Sequence, residues 1–379
     1  MKILIYGGSF DPVHKGHYAL LKAAIKQIKP DKTHIFTAYQ SPFKTAHAQP
    51  FKLRSQMAKD VLGSLDKNII FDDLENRNAR VTYSCEQIEH IKKLYPGAEV
   101  YLLVGTDCLN DLHKWKNSDY IFKNAIITAG KRKGVDFQTR DFKYILLDGV
   151  FPLISSTLIR IAILCNGLLP TNIIMPQTAK TIEKKQLYGL DIHKWLQESL
   201  RPNRYLHVKL VAQGAVELAR IYGANTEDMA LAAILHDAAK CMSNGELVTY
   251  CLKNKVKVTQ LEEICKHSPA LLHADVSADL AKKLFKVKKK TILDAIKYHT
   301  LGRLNMTLEE KILFVADMCS KDRRYSEARK VYQEAQKSLE EGMKEALRVK
   351  LLFTVQTDKW LAAAGIKLWN EIILKDNSH

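Results

Sequence analysis

Apolar residues in the first half of the chain fall into short runs separated by longer stretches of helical period. Residues 3–6, 34–38, 99–104, 124–128 and 143–147 are compact apolar runs and read as strands. The segments 15–29, 51–62 and 84–94 space their apolar residues three and four apart and read as helices. Strands alternating with helices predict a doubly wound parallel sheet, whose ligands gather at the carboxyl ends of the strands where their order reverses. After about residue 189 the strand-like runs stop. Residues 204–222, 226–240, 274–285, 291–299, 308–320 and 325 to about 374 carry helical period, with Asn203 and Thr226 as expected N-caps and Gly223 as a helix stop. The pattern therefore predicts two domains, an α/β Rossmann-like one over 1–188 and an all-α one over 189–379.

Two motifs in the first domain carry chemistry. The first strand runs into Gly7-Gly8-Ser9-Phe10-Asp11-Pro12-Val13-His14-Lys15-Gly16-His17 at the mouth of a helix. Paired glycines let backbone N–H groups approach a phosphate, and two histidines three apart at a helix N-terminus can face one point where the dipole favours an anion. The run lacks the ending of a P-loop and the spacing of a dinucleotide fingerprint. Downstream, Ile154-Ser155-Ser156-Thr157-Leu158-Ile159-Arg160 places three hydroxyl residues and an arginine at a helix start, either a second anion cradle or simply a capped helix.

The second domain holds His207, the doublet His236-Asp237, His273, His299 and Asp317, with His236, His299 and Asp317 on the apolar stripes of their segments. A polar side chain on a core-facing stripe must find a partner or suffer a desolvation cost of about several kcal/mol. One such histidine is usually a hydrogen-bonded core residue. Five segments each aiming His or Asp inward are better explained by bound cations, and mixed imidazole–carboxylate ligation suits Fe, Mn or Zn better than Mg.

Composition narrows the setting. A hydrophobic share of 46% with 26% charged residues is ordinary for a globular chain and excludes disordered and collagen-like classes. No window reaches the roughly 18 apolar residues of a membrane span, and the first apolar run is too short for a signal peptide. Seven cysteines without a CxxC pair suit a reducing compartment, so a cytoplasmic protein is expected. The 58 basic against 41 acidic residues leave +17, spread over both halves, which favours anionic partners. The densest cluster, Lys286-Val287-Lys288-Lys289-Lys290, lacks any nucleic-acid motif and reads as a solvated turn. Small phosphorylated substrates are the expected partners, nucleic acid and membrane are not, and homo-oligomerisation stays open.

The two N-terminal motifs together resemble the nucleotidylyltransferase superfamily. Within it, residues 1–188 resemble bacterial nicotinate-nucleotide adenylyltransferase through the Gly7-to-His17 run, Ser41-Pro42-Phe43-Lys44, Leu53-Arg54-Ser55-Gln56-Met57, Thr82-Tyr83-Ser84, Val104-Gly105-Thr106-Asp107 followed by Trp115, and the Ile154-to-Arg160 run. The resemblance implies that Gly7, Gly8, Ser9, Phe10, His14, His17, Gly105, Asp107, Ser156 and Arg160 hold ATP with Mg²⁺, with His14, His17 and Arg160 serving catalysis. Thr82, Tyr83 and Trp115 would embrace nicotinate and Lys44 would offset negative charge, although a core tryptophan is an equal reading of Trp115. Thr82-Tyr83-Ser84 stands where the family has Ser-Tyr-Thr, and Ile161-Ala162-Ile163 lacks a further basic residue common there.

The second half resembles HD-domain phosphohydrolases, and more closely the bacterial symmetrical bis(5′-nucleosyl)-tetraphosphatases, which cut diadenosine tetraphosphate into two ADP. The match lies in Arg204-Tyr205-Leu206-His207, Leu235-His236-Asp237-Ala238-Ala239-Lys240, Tyr298-His299-Thr300-Leu301-Gly302-Arg303 and Phe314-Val315-Ala316-Asp317, and is weak beyond Tyr325. It implies a dinuclear centre, one metal on His207, His236, Asp237 and Asp317 and the other on Asp237, His273 and His299. Asp237 and Lys240 would serve catalysis. Lys240, Arg303 and Arg323 or Arg324 would bind polyphosphate, against the plain alternative of solvated surface cations. A bifunctional enzyme is expected. The open alternatives are nicotinamide mononucleotide in one half, guanosine polyphosphates or deoxynucleoside triphosphates in the other, or a metal-held regulatory or RNA-binding module in place of the hydrolase.

Overall fold

Six strands, β1 (Lys2–Gly8), β2 (Lys32–Thr37), β3 (Ile69–Asp72), β4 (Glu99–Gly105), β5 (Ile126–Arg132) and β6 (Tyr144–Phe151), form one parallel sheet in the order β3-β2-β1-β4-β5-β6. The computed structural model describes residues 1–41, 48–132, 142–323 and 325–376. Strand order reverses between β1 and β4, so a crevice opens beyond their carboxyl ends. Successive residues of β1 enter opposite cores. Leu4 and Tyr6 pack with Leu21 and Ala24 of helix Lys15–Ile28 and with Met57 and Val61 of helix Phe51–Leu62. Ile3 and Ile5 pack with Ile88 and Ile91 of helix Ser84–Leu94. Both faces are covered, which is why the central strands read as continuous apolar runs. The pattern missed β3, a four-residue edge strand whose residues are all half-buried.

The second unit is helical, and its largest core gathers Val208, Val211 and Leu218 of helix Pro202–Tyr222 with Ala233 of Thr226–Leu235 and Phe314 of Leu308–Met318. Several details differ from the pattern's expectation. Helix Pro202–Tyr222 is preceded by Arg201 with proline in its first turn, and helix Thr226–Leu235 is capped by Asn225, whose side chain accepts from Glu227 and Asp228 N–H. The expected caps were Asn203 and Thr226. The expected helix 226–240 breaks at His236-Asp237, and the stretch after Tyr325 folds as three helices, Ser326–Lys337, Leu339–Gln356 and Ala363–Asp376.

The chain divides into Met1–Ile159 with Leu169–Tyr188, and Arg160–Leu168 with Gly189–His379. Tyr188 and Gly189 fall in different units, and Arg160–Leu168 groups with the helical unit because Ile161, Leu164 and Cys165 enter its core. Among the described residues no helix is long and apolar enough to cross a membrane.

Candidate active sites

The glycine run of the first unit is shaped by its own side chains. A Cβ on Gly8 would sit 2.9 Å from the Phe10 ring, and one on Gly16 would sit 3.0 Å from His14 Nδ1. Helix Lys15–Ile28 begins in a reciprocal cap, the His17 N–H donating to His14 Nδ1 and the His14 N–H to His17 Nδ1, at 3.4 and 3.2 Å. The two rings stack with centroids 3.7 Å apart. With Nδ1 an acceptor in each, the neutral imidazoles carry their proton on Nε2, the tautomer that donates to a phosphate oxygen.

A cavity of about 360 Å³ opens at the carboxyl ends of β1 and β4. Gly7, Gly8, Ser9, His17, Thr82, Tyr83, Gly105 and Trp115 line it, so eight of the expected residues converge there. Phe10 and His14 are buried and stand outside its lining, with the Phe10 ring 5.1 Å from His17. Ser156 Oγ donates to Pro12 O at 2.9 Å and so ties down the loop before the histidines. Arg160, itself in the helical unit, makes a two-pronged pair with Glu227 of that same unit, Nε and Nη2 each 2.6 Å from a carboxylate oxygen. Lys44 and the side chain of Asp107 lie outside the described residues.

In and behind the wall of this cavity stand groups to which the sequence reading gave no role. Lys116 Nζ lies 4.3 Å from the Tyr83 ring centroid. Arg54, 1% exposed, donates to the Ser9, Ala38, Tyr39 and Gln49 carbonyls and thereby holds the cavity's floor loops. Glu75 is 2% exposed, and burial pushes its carboxyl up to about 7 although it accepts from the Tyr39 N–H and Gln87 Nε2 and feels the Arg54 charge. The folded chain then keeps a proton there that the unfolded chain, titrating near 4.5, has released. Stability contributed by the neutral acid is present below pH 4.5 and is lost as pH rises through 7. Glu75→Gln removes that loss, so the variant gains roughly 2–3 kcal/mol on its parent between pH 5 and pH 8. Denaturant melts at the two pH values measure it, and curves that move in parallel contradict it.

In the helical unit, helix ends place three of the histidines. His236 follows helix Thr226–Leu235, His299 follows Lys290–Tyr298, and His273 follows a short 3₁₀ turn at Pro269–Leu272. Each turns its Nδ1–H back to the carbonyl three residues earlier, Ala233, Ile296 and Ala270, at 2.6, 2.7 and 2.7 Å. That bond satisfies an orphan carbonyl of the helix end and fixes the tautomer, leaving Nε2 as a lone-pair donor. His207, inside a helix, instead bonds the Asp322 carboxylate through Nδ1 at 2.8 Å.

The four Nε2 atoms converge on Asp237 and Asp317. His207, His236 and Asp237 form one buried group of ligand atoms within 4.8 Å of one another; Asp237, His273 and His299 form a second. Asp237 belongs to both. Its Oδ1 is 3.3 and 3.7 Å from the Nε2 atoms of His273 and His299, and its Oδ2 is 3.6 Å from that of His236. His207 Nε2 lies 3.2 Å from Asp317 Oδ1.

These residues fit divalent cations on two counts. His236 Nε2 is buried with no hydrogen-bond partner, and burial lowers that imidazole to about 4, so it stands neutral with its lone pair aimed inward. Burial opposes ionisation of Asp237, yet the His236, His273 and His299 rings around it hold its carboxyl well below the ordinary range. His207 behaves differently, because bonds to Asp317 and Asp322 outweigh burial and raise it to about 9 without metal, so a cation must displace a proton there.

Around this centre a cavity of about 480 Å³ is lined by Arg204, Lys240, Asp317, Arg323 and Lys350 among others. Arg204 Nη1 donates to Asp237 Oδ2 at 2.8 Å, and Arg323 donates to the Asp317 carbonyl and Oδ1 at 2.6 Å each. Arg303, expected on polyphosphate, stands outside this lining and is engaged by the fully buried Glu310. Arg324 lies outside the described residues. Arg204, Asp322 and Lys350 were missed; the Arg-Tyr-Leu-His run contained the first, while the others carry no local signal. Because Asp322 orients His207 from behind, Asp322→Asn lowers metal affinity by about 10–100-fold while leaving the helical fold intact. Metal titration followed by calorimetry, with circular dichroism as control, checks both parts.

Comparison with known proteins agrees with this geometry. The chain matches the cytidylyltransferase-like family over residues 5–162 and the HD-domain family over residues 204–322. A Mycoplasma genitalium protein described as a probable nicotinate-nucleotide adenylyltransferase/Ap4A hydrolase is 28% identical over 330 residues, covering 85% of this chain and 88% of the relative. A probable nicotinate-nucleotide adenylyltransferase of Endomicrobium trichonymphae is 35% identical over 163 residues, 42% of this chain and 84% of its own. The symmetrical bis(5′-nucleosyl)-tetraphosphatase of Bacillus subtilis is 32% identical over 164 residues, 43% of this chain and 86% of its own. The chain thus belongs, through its Rossmann-like unit, to the nicotinate-nucleotide adenylyltransferase family and, through its helical unit, to the HD-domain family of symmetrical bis(5′-nucleosyl)-tetraphosphatases.

Proposed function

We propose that the protein is bifunctional, joining adenylyl transfer from ATP to nicotinate mononucleotide with symmetrical hydrolysis of diadenosine tetraphosphate. The observation that carries the reading is the shared carboxylate: Asp237 stands in both buried ligand groups, a layout suited to two cations acting on one phosphate.

In the first unit, a phosphate oxygen of the mononucleotide attacks the α-phosphorus of Mg²⁺-ATP and pyrophosphate leaves. No covalent nucleophile is needed, so the residues act by positioning and by electrostatic stabilisation. His17 Nε2–H at the cavity wall donates to the phosphate chain, His14 fixes the orientation of His17 through the shared cap, and the Gly7-Gly8 backbone approaches the phosphates. Tyr83 and Trp115 bracket the pyridine ring, and Lys116 supplies positive charge for its carboxylate. Lys44, Asp107 and Arg160 are proposed with them for nicotinate charge, ribose and phosphate contacts respectively; Arg160 would exchange its Glu227 partner for phosphate.

In the second unit, His207, His236, Asp237 and Asp317 would hold one metal and Asp237, His273 and His299 the other. Iron or manganese fits the imidazole-rich set, with zinc as a further candidate. When bound, such ions supply Lewis acidity toward phosphoryl oxygens and activate water. The chain's own cations do the rest: Arg204, Lys240, Arg323 and Lys350 line the cavity and seat the polyphosphate.

The test is two assays on the full chain. ATP with nicotinate mononucleotide is expected to yield deamido-NAD and pyrophosphate in preference to the nicotinamide counterpart. Diadenosine tetraphosphate with Mn²⁺ or Fe²⁺ is expected to yield two ADP, and stripping the protein with a chelator, then assaying it in Mg²⁺ alone, is expected to stop that reaction only. Preference for nicotinamide mononucleotide, or products ATP and AMP, would refute the respective half.

A further inference from the structure

Beside the metal centre lies a second groove of about 660 Å³ in which Tyr325, Leu352, Phe353, Glu327 and Gln356 take part. It shares two wall residues with the metal-centre cavity, Arg323 and Lys350. Both are cations, and both are pinned. Arg323 is held by the Asp317 carbonyl and carboxylate, and Lys350 Nζ donates to the His299 and Thr300 carbonyls at 2.9 and 3.2 Å. Arg323 and Lys350 thus stand on the wall that the metal-centre cavity and the groove have in common, and both are of the kind that grips phosphate.

The groove's chemistry changes at that point from cationic to aromatic. Phe353 is 56% exposed, Leu352 52% and Tyr325 37%, an unusual outlay of apolar surface next to so polar a centre. Tyr325 donates its hydroxyl toward the Met318 carbonyl at 3.4 Å, which restrains its ring, and Lys359 Nζ stands 4.8 Å from the Phe353 centroid. Glu327 and Gln356 bring hydrogen-bonding groups of the kind a base edge can use. Aromatic faces beyond a cationic step match a nucleotide in the order phosphate, then base.

We propose that this groove seats the nucleobase of one half of a dinucleoside polyphosphate, stacked on Phe353 and Tyr325, while Arg323 and Lys350 hold the phosphates that connect it to the metal centre. The proposal rests on the hydrolase reading above and names the subsite that reading leaves open. It explains why a hydrolase would act on a dinucleotide in preference to bare polyphosphate: a base in the groove adds binding that inorganic chains lack.

Phe353→Ala tests it, since an exposed ring can be removed without opening the core. The variant is expected to raise KM for diadenosine tetraphosphate by roughly 5- to 100-fold, the range set by loss of one base–aromatic stack, with kcat within about 2-fold. Inhibition by inorganic tripolyphosphate stays as in the parent, and Phe353→Tyr restores the parental KM. An unchanged KM, or an equal loss for tripolyphosphate, overturns the proposal. Should the parent leave diadenosine tetraphosphate intact, the hydrolase reading fails and the groove is judged by calorimetry on the full chain. ADP binding weakened by Phe353→Ala, with pyrophosphate binding equal, then sustains it, and equal or absent ADP binding overturns it.

Discussion

Asp237→Asn is expected to abolish dinucleotide hydrolysis, by about 10³-fold or more, ~4 kcal/mol in transition-state terms, while adenylyl transfer stays within about 2-fold of the parent. The size follows from position. Among the described residues Asp237 alone contributes a carboxylate to both groups of ligand atoms, and its two oxygens face different histidines. Asparagine keeps the shape and one acceptor oxygen but removes the charge that would balance the proposed pair of cations, and it leaves Arg204 without its anionic partner. Metal content is therefore expected to fall in parallel with activity. A variant that kept both metals and lost hydrolysis would move Asp237 from ligand to base, and one that kept both metals and full hydrolysis would refute the shared centre.

His17→Ala is expected to lower adenylyl transfer by about 10²–10⁴-fold and to leave hydrolysis unchanged. Two effects of that change must be separated, because His17 is also half of the cap on helix Lys15–Ile28, and loss of a cap costs ~1 kcal/mol of stability. Glutamate can accept the same backbone N–H and complete the capping box, but its carboxylate has no proton to present to phosphate. So His17→Glu is expected to recover the melting temperature of the parent and to stay at least as inactive as alanine. Recovery of activity by glutamate would reduce His17 to a structural cap. Loss of hydrolysis in either variant would contradict independent sites.

Much of both centres was legible because their chemistry is local in sequence. The His14-to-His17 spacing is a helix-turn spacing, and it is realised as a reciprocal cap with stacked rings. The His236-Asp237 doublet stands just past the end of its helix and serves both ligand groups, His236 in one and Asp237 in each. The apolar stripes of His236 and His299 do run into the core, and the helix ends add the orientation. His236, His273 and His299 stand at helix ends, where a side chain can satisfy a carbonyl through Nδ1 and still aim Nε2 inward. Glu75, Asp322 and Lys350 escaped the reading for a different reason. A lone carboxylate or lysine in a charged chain looks like surface, and only packing buries Glu75 beside the cavity or brings Lys350 to a centre whose nearest ligand in sequence, Asp317, is one core helix away.

By itself the sequence determined most of the alternation of strands and helices in the first unit, the all-helical character of the chain after residue 189, and the residue types able to grip phosphate and metal, since each depends on periodicity or on neighbours within one turn. Tertiary structure alone decided the rest. It assigned Arg160 to Glu227, set Arg303 on Glu310, placed Asp322 behind His207, and joined an aromatic groove to the metal centre through Arg323 and Lys350. Partners distant along the chain meet only when hydrophobic burial has fixed the helices. A charged side chain then takes whichever counter-charge that packing brings within reach, because leaving it unpaired in the interior would cost more than any local preference can offset.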